Sequence, residues 1–146
     1  MNKATNADKI QRDLQTKLQQ LIELQSVAST YQQIIEANTL VLSEIIRTKQ
    51  ALKDMIKLGE GKISGLVNLG GGVFVEGEIV IGGKILVDVG AGIAIPVSIE
   101  EAIEKLSFKE KQVKESIENA KQIIMQIQRT ISQLQNEINK LREQLK

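Results

Sequence analysis

The sequence predicts an α+β chain: two long helices that form an antiparallel coiled coil, joined by two β-hairpins. Three observations carry that reading. All eleven glycines and the single proline, Pro96, lie between residues 59 and 97. The arms on either side contain no glycine and repeat apolar residues in a 3-4 alternation. The stretch between them breaks into short runs of β-branched and apolar residues divided by glycine clusters. The boundaries follow as residues 1–58 for the first helix, 59–97 for the β unit and 98–146 for the second helix, one domain overall.

The first arm is predicted helical over residues 7–58. Its seam runs Ile10, Leu14, Lys17, Leu21, Leu24, Ala28, Tyr31, Ile35, Asn38, Leu42, Ile45, Lys49, Leu52 and Ile56, and eleven of these fourteen positions are apolar. Seven unbroken heptads describe a coiled coil rather than an ordinary surface helix. Lys17, Asn38 and Lys49 are polar seam positions, which cost stability but specify register and partner number. Gly59 stands where a helix C-terminal cap belongs, just after Lys57.

The middle stretch reads as four strands, at residues 63–69, 73–81, 84–89 and 93–97. Gly70-Gly71-Gly72, Gly82-Gly83 and Gly90-Ala91-Gly92 separate them and supply the backbone freedom that tight turns need. Gly59-Glu60-Gly61-Lys62-Ile63-Ser64 has a passing likeness to a phosphate-binding loop. Its spacing is wrong, and it leads from helix into strand, the reverse of the required context. Gly90-Ala91-Gly92 opens no helix and is a hairpin turn rather than a dinucleotide fingerprint.

The second arm opens on Ser98-Ile99-Glu100-Glu101, a capping box two residues after Pro96. Its seam runs Ile99, Ile103, Leu106, Glu110, Val113, Ile117, Ala120, Ile124, Ile127, Ile131, Leu134, Ile138, Leu141 and Leu145, with Glu110 the one polar member of fourteen. Each arm is roughly 70–80 Å long at the α-helical rise. The β unit can reverse the chain, so an intramolecular antiparallel coiled coil is the simplest way to bury both seams. Two parallel dimeric coiled coils would also satisfy the heptads.

Composition excludes much of enzyme chemistry. The chain has no histidine and no cysteine, which removes the commonest general base, the commonest metal ligand and the thiolate nucleophile. The expectation is no enzyme, no cofactor and no metal. Net charge is +1 with both signs mixed along the arms, so no basic patch points to nucleic acid. No segment approaches the roughly eighteen apolar residues of a membrane span, and the N-terminus lacks a signal-peptide core, so a soluble cytoplasmic protein is expected.

Isolated hairpins are marginal in water, and the arms spend their apolar seams on each other. The strands also carry more apolar residues than one small face can hide. The β unit is therefore expected to complete itself with neighbouring subunits, as an intersubunit β-barrel hub held through Val73, Phe74, Val75, Ile79, Ile85, Val87, Val89 and Ile93.

Helix, glycine-rich double hairpin, helix resembles the alpha-class subunit of prefoldin of the archaeal type. The residues that carry the likeness are Leu69-Gly70-Gly71-Gly72-Val73-Phe74-Val75-Glu76-Gly77, then Val87-Asp88-Val89-Gly90-Ala91-Gly92, then Ser98-Ile99-Glu100-Glu101-Ala102-Ile103. Two hairpins favour the alpha class over the beta class, which carries one. The resemblance implies a hexamer of two alpha and four beta subunits, in which β-barrels carry hanging coiled coils. It also implies ATP-independent capture of unfolded proteins and their delivery to a group II chaperonin. The arm tips here are Gln-rich rather than strongly acidic.

Client contact is expected at those tips. Helix ends fray, and fraying would bare Ile10, Leu14, Leu18, Leu21, Leu134, Ile138, Leu141 and Leu145 among Gln and Asn side chains. Several arms acting together would turn weak contacts into avidity. The competing reading is a structural or filament-forming coiled-coil protein without clients. Filaments of this chain alone would favour it, and co-purification with a single-hairpin partner would favour the chaperone.

Overall fold

The computed structural model describes residues 2–146, with side chains from residue 5 onward. Six elements follow in order: helix α1 (Asn2–Leu58), strands β1 (Gly61–Gly70), β2 (Val73–Ile81), β3 (Ile85–Gly90) and β4 (Ile93–Val97), and helix α2 (Ile99–Gln144). The two sheets are two-stranded antiparallel hairpins, β1–β2 (hairpin 1) and β3–β4 (hairpin 2). Strand ends and the helix ends beside them fall within a few residues of those read from the sequence, because glycine, proline and the Ser98 cap mark them chemically, whereas α1 begins at Asn2, ahead of the start read near residue 7. By contacts the chain divides into two units, Met1–Leu40 with Val113–Lys146, and Val41–Gln112.

In the first unit the segments of α1 and α2 run antiparallel. Lys17 forms an ion pair with Glu137, and Asn38 Nδ2 donates to Ser116 Oγ at 3.1 Å. Rising numbers on one helix thus meet falling numbers on the other. Ile117, Ala120, Ile127, Leu134 and Ile138 are buried, all of them predicted seam positions. Two of the three polar seam residues of α1 lie here, and both find partners across the seam.

In the second unit the third polar seam residue, Lys49, donates to Glu110 Oε2 at 2.8 Å, joining the only polar seam positions of this stretch. Both side chains are more than four-fifths buried. A pair removed from water to that degree adds little net stability but penalises any register that separates it. Helix α1 ends at Leu58, and Gly59 takes φ of 75°, a left-handed cap with its N–H bonded to the Ile56 carbonyl. Helix α2 starts as the capping signal predicts: Ser98 Oγ accepts from the Glu101 N–H at 3.1 Å.

Two details of packing depart from the heptad reading. Ile56, expected in the seam, is 45% exposed, and Met55 takes the inward place. Ala102, outside the predicted seam, is 2% exposed. Both have one cause. Beyond Leu52 the helices cover hairpin 2 as well as each other, so the buried face turns away from the strict 3.5-residue stripe. Leu52, Val97 and Ala102 form the centre of this cluster, with Met55, Ile85, Val87 and Ile95 packed around them. The expectation that the helices leave the hairpins nothing to pack on therefore holds for hairpin 1 and fails for hairpin 2.

The hairpins repeat one pattern twenty residues apart. Val67-Asn68-Leu69-Gly70-Gly71-Gly72-Val73-Phe74-Val75 corresponds to Val87-Asp88-Val89-Gly90-Ala91-Gly92-Ile93-Ala94-Ile95. The turns match in geometry: Gly70, Gly71 and Gly72 have φ of 100°, 58° and 77°, and Gly90, Ala91 and Gly92 have 105°, 53° and 73°. Asn68 Oδ1 accepts from the Gly70 N–H and Asp88 Oδ1 from the Gly90 N–H, each at 2.8 Å. The register slips by one residue at the same place in both.

Candidate interaction surfaces

Along hairpin 1, pairing Ile63 with Ile79, Gly65 with Gly77 and Val67 with Val75 puts these residues on one face. The other face holds Lys62, Ser64, Leu66, Asn68, Phe74, Glu76, Glu78 and Val80. The first face is uncharged and the second is mixed. Lys62 and Glu78 stand 3.9 Å apart there with both side chains exposed, a pair that contributes little. Of the expected assembly residues, Val73, Phe74, Val75 and Ile79 are exposed on this hairpin. Only its root is held, through buried Ile81.

Hairpin 2 divides differently. Ile85 and Val87 are half-buried in the helix cluster, whereas Val89 and Ile93, nearer the turn, are exposed. The eight expected assembly residues thus fall into six that are free at the surface and two that this chain already uses. Leu66, Val67, Leu69, Val80 and Leu86 are exposed too, and the alternation of the strands could have named them. A recess of about 600 Å³ lies where the helices meet the hairpins, lined by Met55, Glu60, Ile81, Val97 and Glu101 among others.

In the first unit the expected client residues occupy the seam. Ile10, Leu14, Leu18, Leu21 and Leu141 are half-buried, Leu134 and Ile138 are buried, and Leu145 is exposed. Apart from Leu145, these residues reach the surface only where the last turns separate. A second set is exposed without any opening. Val27 and Ile34, seven residues apart, flank the seam of α1, and Ile22 and Leu40 face away from it. Counting only the two seam positions of each heptad passes over them, although the seven-residue spacing of Val27 and Ile34 is visible in the sequence.

The fold has known counterparts. The family described as Prefoldin subunit matches residues 7–144. The chain belongs to the prefoldin family. The prefoldin alpha subunit of Pyrococcus horikoshii is 38% identical over 92 residues, 63% of this chain and 60% of that protein, so the match spans less than two thirds of that relative. The alpha subunit of Archaeoglobus fulgidus is 27% identical over 117 residues, covering 80% of this chain and 85% of that protein. A filamentous prefoldin from Methanocaldococcus jannaschii shares the fold, with a TM-score of 0.70 and 22% identity over 82% of this chain and 98% of that one. These relatives meet the expectation of an archaeal alpha-class subunit. Prefoldin is a chaperone family rather than an enzyme family. Among the described residues no helix is long and apolar enough to cross a membrane.

Proposed function

We propose that this chain is one subunit of a cytoplasmic, nucleotide-independent holdase, joined to other subunits through its hairpins and binding unfolded proteins at the free ends of its helices. The observation that supports it most is the bare apolar surface of hairpin 1, whose Val67, Val73, Phe74 and Val75 are exposed on a two-stranded ribbon. A ribbon with open edges and such a surface is a pairing site for other strands. The partners in this reading are prefoldin beta subunits, in a hexamer of two alpha and four beta subunits. Captured clients pass to a group II chaperonin.

Client binding on this account draws on local opening. Leu134, Ile138 and Leu141 close the seam toward the end of α2, and end turns open at low cost. Removing residues 1–9 and 138–146 should leave assembly intact and sharply reduce suppression of aggregation of a denatured client. ATP should change neither. Light scattering with intact and trimmed assemblies of verified equal size tests this, and equal protection by both would move client binding to the hairpin hub.

A second reading, a self-assembling filament, is favoured by the filamentous relative of the same fold. Native mass spectrometry of the chain alone and with a beta-class partner separates the two.

A further inference from the structure

The recess of about 600 Å³ between helices and hairpins is within the size range of ligand sites. Three parts of the chain enclose it: the end of α1, the link between β2 and β3, and the passage from β4 into α2. Its apolar lining is Met55, Ile56, Ile81, Pro96, Val97 and Ile99. Ile56 is the residue that leaves the heptad seam, and its exposed side chain stands here. The charges of the lining do not balance. Three carboxylates, Glu60, Glu100 and Glu101, against one ammonium, Lys84, leave a net charge of −2. Among the described residues none of these four forms an ion pair.

The start of α2 accounts for Glu100 and Glu101, since carboxylates favour the positive end of a helix. Glu60 has no such reason. It follows the end of α1, where the dipole favours cations. Yet its place is built: a Cβ at Gly82 would come within 2.6 Å of Glu60 Cγ, so the Glu60 stem lies against bare Gly82 backbone. Gly83 adds an independent sign. Its φ is not positive, and nothing in the chain lies within 4 Å of where its Cβ would stand. Neither backbone nor packing asks for glycine there, and a glycine of this kind suits close approach by another backbone. A recess of this size takes a few side chains, not the roughly 800 Å² that a folded partner covers. Charge and lining together fit a segment that is both cationic and apolar.

We propose that the recess binds a short basic and apolar segment of a protein outside the assembly. Its leucine-like side chains rest on Ile56, Pro96 and Ile99, its lysine or arginine pairs with Glu60, and its backbone passes over Gly83.

Fluorescence anisotropy of a blocked, labelled hexapeptide alternating leucine and lysine, titrated with the full chain, tests it. Binding should weaken as salt rises, and a leucine–glutamate counterpart should bind about tenfold more weakly. Glu60→Lys should weaken binding of the lysine peptide roughly tenfold and Glu60→Gln about threefold. Gly83→Val obstructs the path of the backbone and should weaken it roughly fivefold, with unchanged helical circular dichroism. Glu76→Gln, on hairpin 1 and outside the recess, should bind as the intact chain does. Equal binding of the two peptides, or binding indifferent to both Glu60 variants, would overturn the proposed ligand. Full binding by a folded Gly83→Val chain would overturn its path. A peptide held by the isolated chain and expelled when a beta-class subunit joins would make the recess a subunit contact and overturn the outside partner. A chain that binds neither peptide would overturn the site and leave hairpin-mediated assembly standing.

Discussion

Hairpins 1 and 2 share a nine-residue pattern, a turn geometry and an Asx hydrogen bond, yet their own chain covers only the second. The difference lies in distance from the root. In hairpin 2 the first pair of the ladder, Ile85 with Val97, belongs to the repeat and lies against the helices. In hairpin 1 the ladder begins at Gly61 with Ile81, and the corresponding pair, Gly65 with Gly77, stands four pairs further out. Four pairs are roughly 13 Å along a strand. The same alternating pattern is therefore core in one hairpin and surface in the other. Apolar alternation states that a face must be buried, and position along the ladder decides whether the chain or a partner buries it.

The comparison breaks most visibly with a charge. Val97→Asp should cost about 3–5 kcal/mol of the chain's own stability, because Val97 is 5% exposed in the cluster with Leu52 and Ala102. Val75→Asp should cost under about 1 kcal/mol in the monomer, its side chain being exposed, and should act on assembly instead. Denaturation followed by circular dichroism, at concentrations below and above association, reads both. Similar losses in the dilute regime would mean that hairpin 1 is covered by its own chain after all.

A smaller effect comes from the turns. Gly71 and Ala91 occupy equivalent left-handed positions, with φ of 58° and 53°. Gly71→Ala should destabilise hairpin 1 by about 1 kcal/mol and Ala91→Gly should stabilise hairpin 2 by about the same amount. Amide exchange at Val73 and Ile93 measures each hairpin separately. Opposite signs are expected, and equal signs would mean that the turns are not equivalent.

The smallest change is removal of the side-chain caps. Asn68→Ala and Asp88→Ala each delete one 2.8 Å bond to a glycine N–H, at about 0.5–1 kcal/mol. Exchange of the Gly70 amide should rise more than that of Gly90, because hairpin 2 is also held by the helix cluster. A larger rise at Gly90 would place the stability of hairpin 2 in its turn rather than in its packing.

Much of the architecture is written along the chain. The uninterrupted heptads, the Ser98 cap, the Gly59 stop and the glycine clusters place all six elements, because each acts over a few neighbouring residues. The polar seam residues Lys17, Asn38 and Lys49 announce that register is specified. Which partner each takes, Glu137, Ser116 and Glu110, depends on how two distant segments align, and periodicity is silent on that. The inward turn from Ile56 to Met55, the burial of Ala102 and the unequal cover of two matching hairpins were likewise decided in three dimensions. Local chemistry determines what a segment becomes, whereas burial depends on what lies against it, and here that is set by how far each strand runs beyond the helix ends.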